Sequence, residues 1–256
     1  MFVYRRIDPR KYDQAVALLD SGGSVRATAR ELGVSRNTIR YWQRNGRPRT
    51  RPPAVAVARA VAESLDRRDY SYVLGMYLGD GCVSRMPRTT ALVISFDPKY
   101  PAIIGECRAA LSAIAPGTVR TQIRKNGVVV LVACFAGWPI LFPQFGPGKK
   151  HERKIELDDW QREITHQYAR EFIRGLIHSD GSRCMNRFSV RLPSGRVGRY
   201  AYPRYFFTNY SADIRRIFCE HCELLGIRWP QSNPTNISVS HRDSVALLDE
   251  FVGPKS

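Results

Sequence analysis

Two short segments of the chain repeat one pattern that ends in an acid. Residues 73–81 read Val-Leu-Gly-Met-Tyr-Leu-Gly-Asp-Gly and residues 173–181 read Ile-Arg-Gly-Leu-Ile-His-Ser-Asp-Gly, so Asp80 and Asp180 are 100 residues apart. Each segment is typical of an apolar helix with a glycine at its third position. The pattern places a carboxylate at each helix C-terminus, where the helix dipole disfavours negative charge. An acid in that place usually needs a cation, so we expect the two aspartates to bind one.

The segments that follow the two acids repeat one order of structural elements. After Asp80 the patterns predict two strands over 82–96, a helix over 101–114, strands over 118–124 and 128–135, and a short helix over 138–145. After Asp180 they predict strands near 182–191 and 199–208, a helix over 212–225, strands near 227–231 and 236–240, and a helix over 242–251. A duplicated motif within a duplicated order indicates an internal repeat. We therefore predict an α+β fold in which the order αββαββα occurs twice.

The two segments resemble the LAGLIDADG motif of homing endonucleases. The resemblance covers about residues 69–256 and implies two saddle-like antiparallel sheets. It implies that the motif helices pack closely through small residues, and that Asp80 and Asp180 hold Mg²⁺ or Mn²⁺ against a DNA phosphate. The residues of the predicted helix interface are Gly75, Gly79, Gly175 and Ser179. The sixth motif position holds Leu78 in one repeat and His178 in the other, and this position varies in the family.

Lysines stand near the end of both repeats. The first repeat ends Phe-Gly-Pro-Gly-Lys-Lys at residue 150, and the second ends Phe-Val-Gly-Pro-Lys-Ser at residue 256. In the LAGLIDADG family a lysine after the third helix lies near the scissile phosphates, and the resemblance assigns that place to Lys149 or Lys150 and to Lys255. A lysine point charge could organise water or neutralise charge there. Surface charge is the alternative, because lysine is usually exposed.

Alternation in the predicted strands favours a DNA-binding surface on each sheet. Polar side chains with long donors alternate with apolar ones, so each strand has one polar and one apolar face. Long donors on a curved sheet can follow a major groove and contact bases and phosphates. The predicted DNA-facing residues are Arg120, Gln122 and Arg124, then Arg183, Arg187 and Arg191, and finally Asn236 and Ser238. A solvated outer face is the alternative.

The N-terminal region predicts three short helices, over residues 9–20, 24–32 and 35–44. Ser24 and Ser35 are expected helix N-caps, and Gly33 is expected in the turn between helices. The region resembles the helix-turn-helix of resolvases and invertases, in which the second helix of the motif faces base edges. The residues expected to project from that helix are Ser35, Arg36, Asn37, Arg40, Tyr41 and Arg44. A small helical docking unit with a basic face is the alternative.

The charge of the chain favours a polyanionic partner, with double-stranded DNA first among the candidates. The net charge is +17 over 256 residues, and residues 1–53 alone contain 12 Lys or Arg and 4 Asp or Glu. Residues 46–53 are rich in Pro and Arg, which predicts an extended basic linker that either lies along DNA or is solvated. No apolar signal core or membrane-spanning run is present, so we expect a cytoplasmic protein without a membrane partner. Arginine outnumbers lysine 33 to 7, which favours a bacterial or phage genome rich in GC.

The six cysteines do not form a pattern typical of a disulfide framework, and we expect free thiols. Cys219 and Cys222 share a helix face, but a structural zinc site needs four ligands and no second Cys/His pair follows. We therefore expect both side chains to be buried thiols.

The predicted domain layout begins with a helix-turn-helix over 1–46 and a linker with a connecting helix over 47–68. The first repeat then covers 69–150, a second linker 151–164 and the second repeat 165–256. The hypothesis that accounts for these features is a monomeric, site-specific DNA endonuclease that hydrolyses phosphodiester bonds. The alternatives are a transcription regulator on the same fold, a class that typically lacks the paired acids, and an RNA maturase.

Overall fold

The computed structural model describes residue 8 and residues 10–46, 54–253 and 255, and the side chains of Ala54 and Ala58 lie outside that description. The predicted linker residues 47–53 also lie outside the described residues. The chain divides into two compact units, residues 1–53 and residues 54–256. Within the described residues, no helix combines the length and the apolar character that spanning a bilayer requires.

The N-terminal unit contains three helices, α1 (Arg10–Asp20), α2 (Val25–Glu31) and α3 (Arg36–Asn45). Ser24 and Ser35 are the N-caps of α2 and α3, as predicted, and their hydroxyls accept hydrogen bonds from the amides of Ala27 and Thr38. Gly33 has φ +61°, which is the left-handed conformation that glycine adopts without a steric penalty. The small core of this unit consists of Ala15, Ala29, Leu32, Ile39 and Trp42.

The second unit begins with a connecting helix, and two repeats of the predicted order follow. Helix α4 (Ala54–Glu63) precedes the first repeat. The first repeat contains α5 (Arg67–Leu78), β1 (Gly81–Arg85), β2 (Thr90–Phe96), α6 (Pro101–Ile114), β3 (Val119–Ile123), β4 (Val129–Cys134) and α7 (Trp138–Leu141). A short 3₁₀ helix (Lys150–Glu152) and α8 (Asp159–Gln167) follow. The second repeat contains α9 (Ala169–Asp180), β5 (Gly181–Arg191), β6 (Val197–Thr208), α10 (Ala212–Leu224), β7 (Gln231–Asn233), β8 (Asn236–Val239) and α11 (Arg242–Phe251).

Each repeat forms one four-stranded antiparallel sheet. The strand orders are β1-β2-β4-β3 and β5-β6-β8-β7, which are the same when the repeats are superposed in chain order. One face of each sheet lies on the helices and supplies apolar side chains that are at most 1% exposed, among them Ile94 and Leu131 in the first and Phe207 and Ile237 in the second. The α+β prediction with a duplicated αββαββα order is confirmed.

One local prediction was wrong. Residues 227–230, expected to form most of a strand, are the connection after α10, because Gly226 turns the backbone with φ +69° and the amide of Ile227 donates to the carbonyl of Cys222. The strand β7 begins only at Gln231. The segment expected to be a linker over 151–164 contains most of α8, whose buried face includes Gln161 and Ile164.

Candidate active site and DNA-binding surfaces

The two motif helices, α5 and α9, pack through glycines whose backbones touch. A Cβ atom placed on Gly75 would lie 2.5 Å from the carbonyl oxygen of Phe172 and 2.8 Å from the amide nitrogen of Leu176. A Cβ on Gly175 would overlap the carbonyl of Tyr72, and one on Gly79 would overlap the side chain of Ser179. No larger residue fits without separating the helices. The small residues at these four positions therefore let the C-terminal ends of α5 and α9 lie side by side.

That packing brings the two motif acids together. Asp180 is the last residue of α9, and Asp80 follows Gly79, the C-cap of α5. A Cβ on Gly79 would lie 3.0 Å from the carboxyl carbon of Asp180. Loss of hydration raises the pKa of Asp180 to about 6, and the negative charge of Asp80 adds to the shift. Loss of hydration also raises the pKa of Asp80, although that residue remains open to solvent.

A lysine from the first repeat lies at the end of α5. The ammonium of Lys150 is 2.5, 2.7, 2.7 and 2.9 Å from the carbonyl oxygens of Tyr77, Leu78, Gly79 and Gly81. Carbonyls at a helix C-terminus carry partial negative charge, so a cation is favourable there. Burial lowers the pKa of Lys150 to about 8, while the charges of Asp180 and Asp80 oppose that change.

The second lysine of the site is Lys255, which lies at the end of α9. Its ammonium donates to the carbonyl of Ser179 at 3.4 Å. Lys149, the neighbour of Lys150, has a side chain that is 72% exposed and pairs with Glu152 at 3.4 Å. The structure thus places Lys150 and Lys255 beside the acids and leaves Lys149 on the surface, because only Lys150 points at the carbonyls that end α5.

Asn209 is a residue of this site that the sequence reasoning missed. Its side-chain amide donates to Oδ2 of Asp180 at 2.5 Å, and its Oδ1 accepts from the amide of Ser211 at 2.8 Å. A single Asn after a strand gives no signal in one sequence. The role of Asn209 in orienting the carboxylate is visible only in the structure, where the end of β6 lies next to the end of α9.

Asp180 and Lys150 border an open cleft of about 550 Å³, which Tyr77, Gly79 and Asn209 also line. Among the described residues, no group of three or more His, Cys, Asp or Glu side chains is arranged to hold a metal ion. A cation at this site would therefore take two carboxylates from the protein and its other ligands from water or a bound substrate. Mg²⁺ commonly binds in that way, since it keeps several waters.

The first sheet presents its predicted polar residues on the face away from the helices. Arg120 pairs with Val132 and Gln122 pairs with Val130, opposite the side that carries Ile94 and Leu131. Both side chains are exposed, and so is Arg124, which follows β3. The three side chains are therefore accessible to a partner on this face, and their contact with DNA stays a prediction.

The second sheet differs from the prediction at Arg183. In the register of β5 and β6, Arg183 pairs with Tyr205, which faces the helices. Its guanidinium binds the carboxylate of Asp249 in α11 at 2.7 and 2.8 Å. The predicted alternation therefore had the wrong phase, and Arg183 is an ion-pair partner of α11. Arg187 and Arg191 share its side of β5, but they are exposed farther along the hairpin.

Ser238 is also unlike its prediction. It lies beside Phe206 on the outward side of β8, but it is 3% exposed and its hydroxyl has no hydrogen-bond partner. The bulky residue beside it explains the burial. Asn236 is partly exposed and accepts from the hydroxyl of Thr208 at 3.0 Å.

The outward face of the second sheet carries aromatic rings and an arginine that the pattern analysis did not select. Phe188 stacks on Tyr200 with ring centroids 5.4 Å apart, and Tyr202 packs edge-on against Phe188 at 5.6 Å. The guanidinium of Arg204 lies 5.2 Å from the ring centroid of Phe206. Aromatic and arginine side chains expose flat faces, and on this sheet they replace the alternating polar donors that were expected.

In the N-terminal unit, helix α3 exposes the residues expected to contact DNA. Ser35, Arg36, Asn37, Arg40, Tyr41 and Arg44 are all exposed, whereas Ile39 and Trp42 are buried. The hydroxyl of Ser35 is engaged as the N-cap, since it accepts from the Thr38 amide at 3.1 Å. The other five side chains lie on the exposed side of α3.

The cysteine pair in α10 is buried, as predicted. Cys219 and Cys222 are 7% and 0% exposed, and both are free thiols. Burial raises the pKa of Cys219 to about 12 and also raises the pKa of Cys222.

The chain is similar to one family model and to a set of solved structures. Residues 5–45 match the model of the helix-turn-helix domain of resolvase. No curated protein matches the chain in sequence. Similar solved structures include the LAGLIDADG meganuclease I-AabMI bound to uncleaved DNA, at 11% identity over 71% of this chain and 82% of that one, with a TM-score of 0.44.

Two further solved structures are similar to the chain at low sequence identity. The I-LtrWI LAGLIDADG homing endonuclease bound to target DNA is 7% identical over 73% of this chain and 84% of that one, with a TM-score of 0.46. The homing endonuclease I-WcaI bound to its recognition sequence is 12% identical over 77% and 87%, with a TM-score of 0.45. The chain therefore joins a segment similar to the resolvase helix-turn-helix to a duplicated α+β unit similar to LAGLIDADG homing endonucleases.

Proposed function

We propose that the protein is a site-specific DNA endonuclease that hydrolyses phosphodiester bonds with Mg²⁺ or Mn²⁺. One observation supports this proposal above the others: Asp80 and Asp180 lie together at the ends of two helices, each with a lysine at the same helix end. A duplicated acid and a duplicated cation suit a reaction that is carried out once on each strand of a duplex.

The residues at the site fit a divalent metal ion. Asp80 and Asp180 offer hard oxygen ligands, and burial raises the pKa of both carboxyls although the charges of Lys150 and Lys255 oppose that change. Mg²⁺, when bound, polarises a phosphate and lowers the pKa of a coordinated water. The two carboxylates would hold the ion, and Asn209 would keep Asp180 in one orientation through its hydrogen bond to Oδ2.

The two lysines would offset negative charge on the phosphate. Lys150 and Lys255 lie next to the acids, so each places a positive charge near the position where a phosphate must approach the metal ligands. A cation there would offset charge that develops on the phosphate during attack by water. Because both lysines are partly buried, their charge is screened less than that of the surface lysine Lys149.

The rest of the chain would bind and orient the duplex. Arg120, Gln122 and Arg124 on the first sheet and Arg187 and Arg191 on the second offer exposed donors to bases and phosphates. The net charge of +17 would attract the duplex over a longer range. The helix-turn-helix would add contacts beside the cleaved site. We propose a cytoplasmic protein that acts as a monomer, since one chain holds both halves of the site.

The decisive test is cleavage of a randomised duplex library in the presence of Mg²⁺, followed by sequencing of the new ends. The expected result is a set of ends that share one extended, imperfectly palindromic sequence, and no ends when EDTA is present. Asp80→Asn serves as the matched control, because it preserves shape and removes one negative ligand. Recovery of a bound sequence without any cut ends would contradict the endonuclease proposal and support a DNA-binding regulator.

A further inference from the structure

His178 lies in α9, two residues before Asp180, where the first repeat has Leu78. Its imidazole is 6% exposed and makes two hydrogen bonds to other elements. Nε2 lies 3.1 Å from the carbonyl oxygen of Val252, and Nδ1 lies 2.9 Å from the hydroxyl of Tyr72 in α5. Because a carbonyl only accepts, Nε2 must carry the ring proton, and Nδ1 accepts from the tyrosine hydroxyl.

The carbonyl that His178 binds belongs to Val252, at the C-terminal end of α11. Val252 is the C-cap of α11, and its amide donates to the carbonyl of Leu248 at 2.8 Å. Gly253 follows with φ +70°, a conformation that turns the backbone away from the helix. Lys255 comes two residues later and reaches the carbonyl of Ser179. His178 therefore anchors the segment that delivers Lys255.

In the first repeat the sixth motif position cannot make this contact, because Leu78 stands there, and the carbonyl of Leu141 at the end of α7 accepts instead from the hydroxyl of Tyr70. Lys150 contacts four carbonyls at 2.9 Å or less, so its own side chain determines where its charge lies. Among the described residues, the Lys255 ammonium makes one hydrogen bond, of 3.4 Å, and lies 5.7 Å from the ring centroid of Tyr100. Neither contact is strong enough to hold a flexible side chain alone. Leu78, the counterpart of His178, has no polar atom in its side chain.

We propose that His178 is a positioning residue, which fixes the carbonyl of Val252 and thereby holds the Lys255 ammonium at the end of α9. The inference rests on the proposed endonuclease function, and it adds that the two repeats position their lysines by different means. Loss of His178 should therefore impair the strand that depends on Lys255 and spare the strand that depends on Lys150.

The first experiment measures the position of Lys255 in the full-length free protein without reference to cleavage. Trace acetylation with acetic anhydride, followed by peptide mass spectrometry, reports the reactivity of each lysine. Lys255 should react more slowly than exposed Lys149 in the wild type. In His178→Leu, Lys255 should react severalfold faster while Lys150 is unchanged.

Two matched variants separate positioning from general support of the core. His178→Gln keeps an N–H near the place of Nε2 and should restore slow labelling of Lys255. Tyr72→Phe removes the other hydrogen bond of the ring and leaves the contact with Val252 intact, so Lys255 should stay protected. Unchanged labelling in His178→Leu, or equal gains in His178→Leu and Tyr72→Phe, would overturn the inference.

The second experiment follows each strand of a selected duplex that is labelled at both 5′ ends. His178→Leu and Lys255→Ala should slow the same strand, the former by about 10- to 100-fold as expected for a misplaced catalytic group, while the other strand changes by less than about twofold. Equal slowing of both strands would contradict the inference. If the wild type cuts no duplex, the proposed function fails, and the labelling experiment still decides whether His178 positions Lys255.

Discussion

The two repeats of the large unit share their order of elements and the residues that helix packing requires, but they differ in strand length and in the side chains on their sheets. Both place a glycine where the helices touch and an aspartate where they end. The β1–β2 hairpin has strands of 5 and 7 residues, whereas β5 and β6 have 11 and 12. A Cβ at the helix contact would meet backbone that cannot move aside, but a hairpin can lengthen into solvent. The comparison shows which positions of a duplicated fold are free to diverge.

The outward faces of the two sheets also differ, because they carry different kinds of side chain. The first sheet carries Arg120 and Gln122 beside small aliphatic residues such as Val93 and Val132. The second carries the Phe188–Tyr200 stack and Arg204 over Phe206. Donors with fixed geometry can distinguish base edges, whereas aromatic faces offer apolar contact to thymine methyl groups and sugars. The two half-sites of a bound duplex should therefore be recognised by different chemistry.

The largest expected effect concerns the paired acids. Asp80→Asn and Asp180→Asn should each reduce Mg²⁺-dependent cleavage by about 10³-fold, which corresponds to a loss of roughly 4 kcal/mol of transition-state stabilisation. DNA binding measured without Mg²⁺ should remain, because a negative charge near phosphate has been removed. Strand-resolved rates test whether the halves are equivalent, and a variant that keeps wild-type rates on both strands would contradict a shared metal site.

Substitution of the two lysines should affect stability differently in the two repeats. Lys150→Met and Lys255→Met should each slow cleavage by about 10- to 100-fold, within the range found when one charge-stabilising donor is removed. Only Lys150→Met should also lower the melting temperature clearly, since it leaves four helix-end carbonyls without their donor. Lys149→Met is the control. If Lys150→Met and Lys255→Met lowered the melting temperature equally in thermal denaturation, the two lysines would be held alike.

The helix contact should be equally intolerant on both sides. Gly175→Ala should destabilise the protein by about 1–3 kcal/mol, because the new methyl group overlaps the carbonyl of Tyr72. Gly105→Ala is the matched control in α6, where an added Cβ meets nothing within 4 Å. That change should stabilise by about 0.8–1.0 kcal/mol through helix propensity. Urea unfolding measures both, and equal shifts for the two variants would contradict the close packing of α5 and α9.

Stability should fall in mild acid because the second repeat buries two histidines. Burial lowers the pKa of His178 and of His221 to about 4, so the unfolded chain takes up these protons first as pH falls below about 6.5. Between pH 6.5 and 4 each histidine should cost up to about 1.4 kcal/mol per pH unit. The raised pKa of Asp180 acts in the opposite direction, because the folded state holds that proton more tightly.

A difference measurement isolates one histidine from these opposing effects. His221 donates from Nδ1 to the carbonyl of Ile217 at 2.7 Å, and the side-chain amide of Asn could supply that donor. In His221→Asn the unfolding free energy should decrease less between pH 6.5 and 4 than in the wild type, and the difference should equal the contribution of one histidine. Parallel curves for the wild type and the variant would mean that His221 does not contribute to the acid sensitivity.

The smallest effects are expected from the N-terminal unit. Deletion of residues 1–53 should leave the cleavage position fixed and shorten the footprint. It should also flatten the log–log salt dependence of DNA affinity by about 0.9 for each phosphate that the protein no longer neutralises. Arg36→Ala or Arg40→Ala should weaken binding by roughly 1–3 kcal/mol if that side chain makes a bidentate base contact. An unchanged footprint and slope after deletion would indicate that the unit binds protein instead of DNA.

The sequence by itself predicted what depends on local chemistry or on repetition. The order of elements followed from two similar patterns, and Ser24 and Ser35 followed from the preference of helix N-termini for hydroxyl side chains. The glycines at 75 and 175 and the acids at 80 and 180 were found because they recur at a constant interval. Each of these signals is contained in a few neighbouring residues.

Only the tertiary structure decided which side chains reach the site and which surfaces are free. Lys149 and Lys150 are indistinguishable neighbours in sequence, and the carbonyls at the end of α5 select Lys150. Arg183 turned toward Asp249 because strand register and the place of α11 determine which face of β5 is outward. Ser238 is covered by its neighbours, and His178 binds a carbonyl 74 residues away. These outcomes depend on contacts between distant segments, and no local pattern contains them.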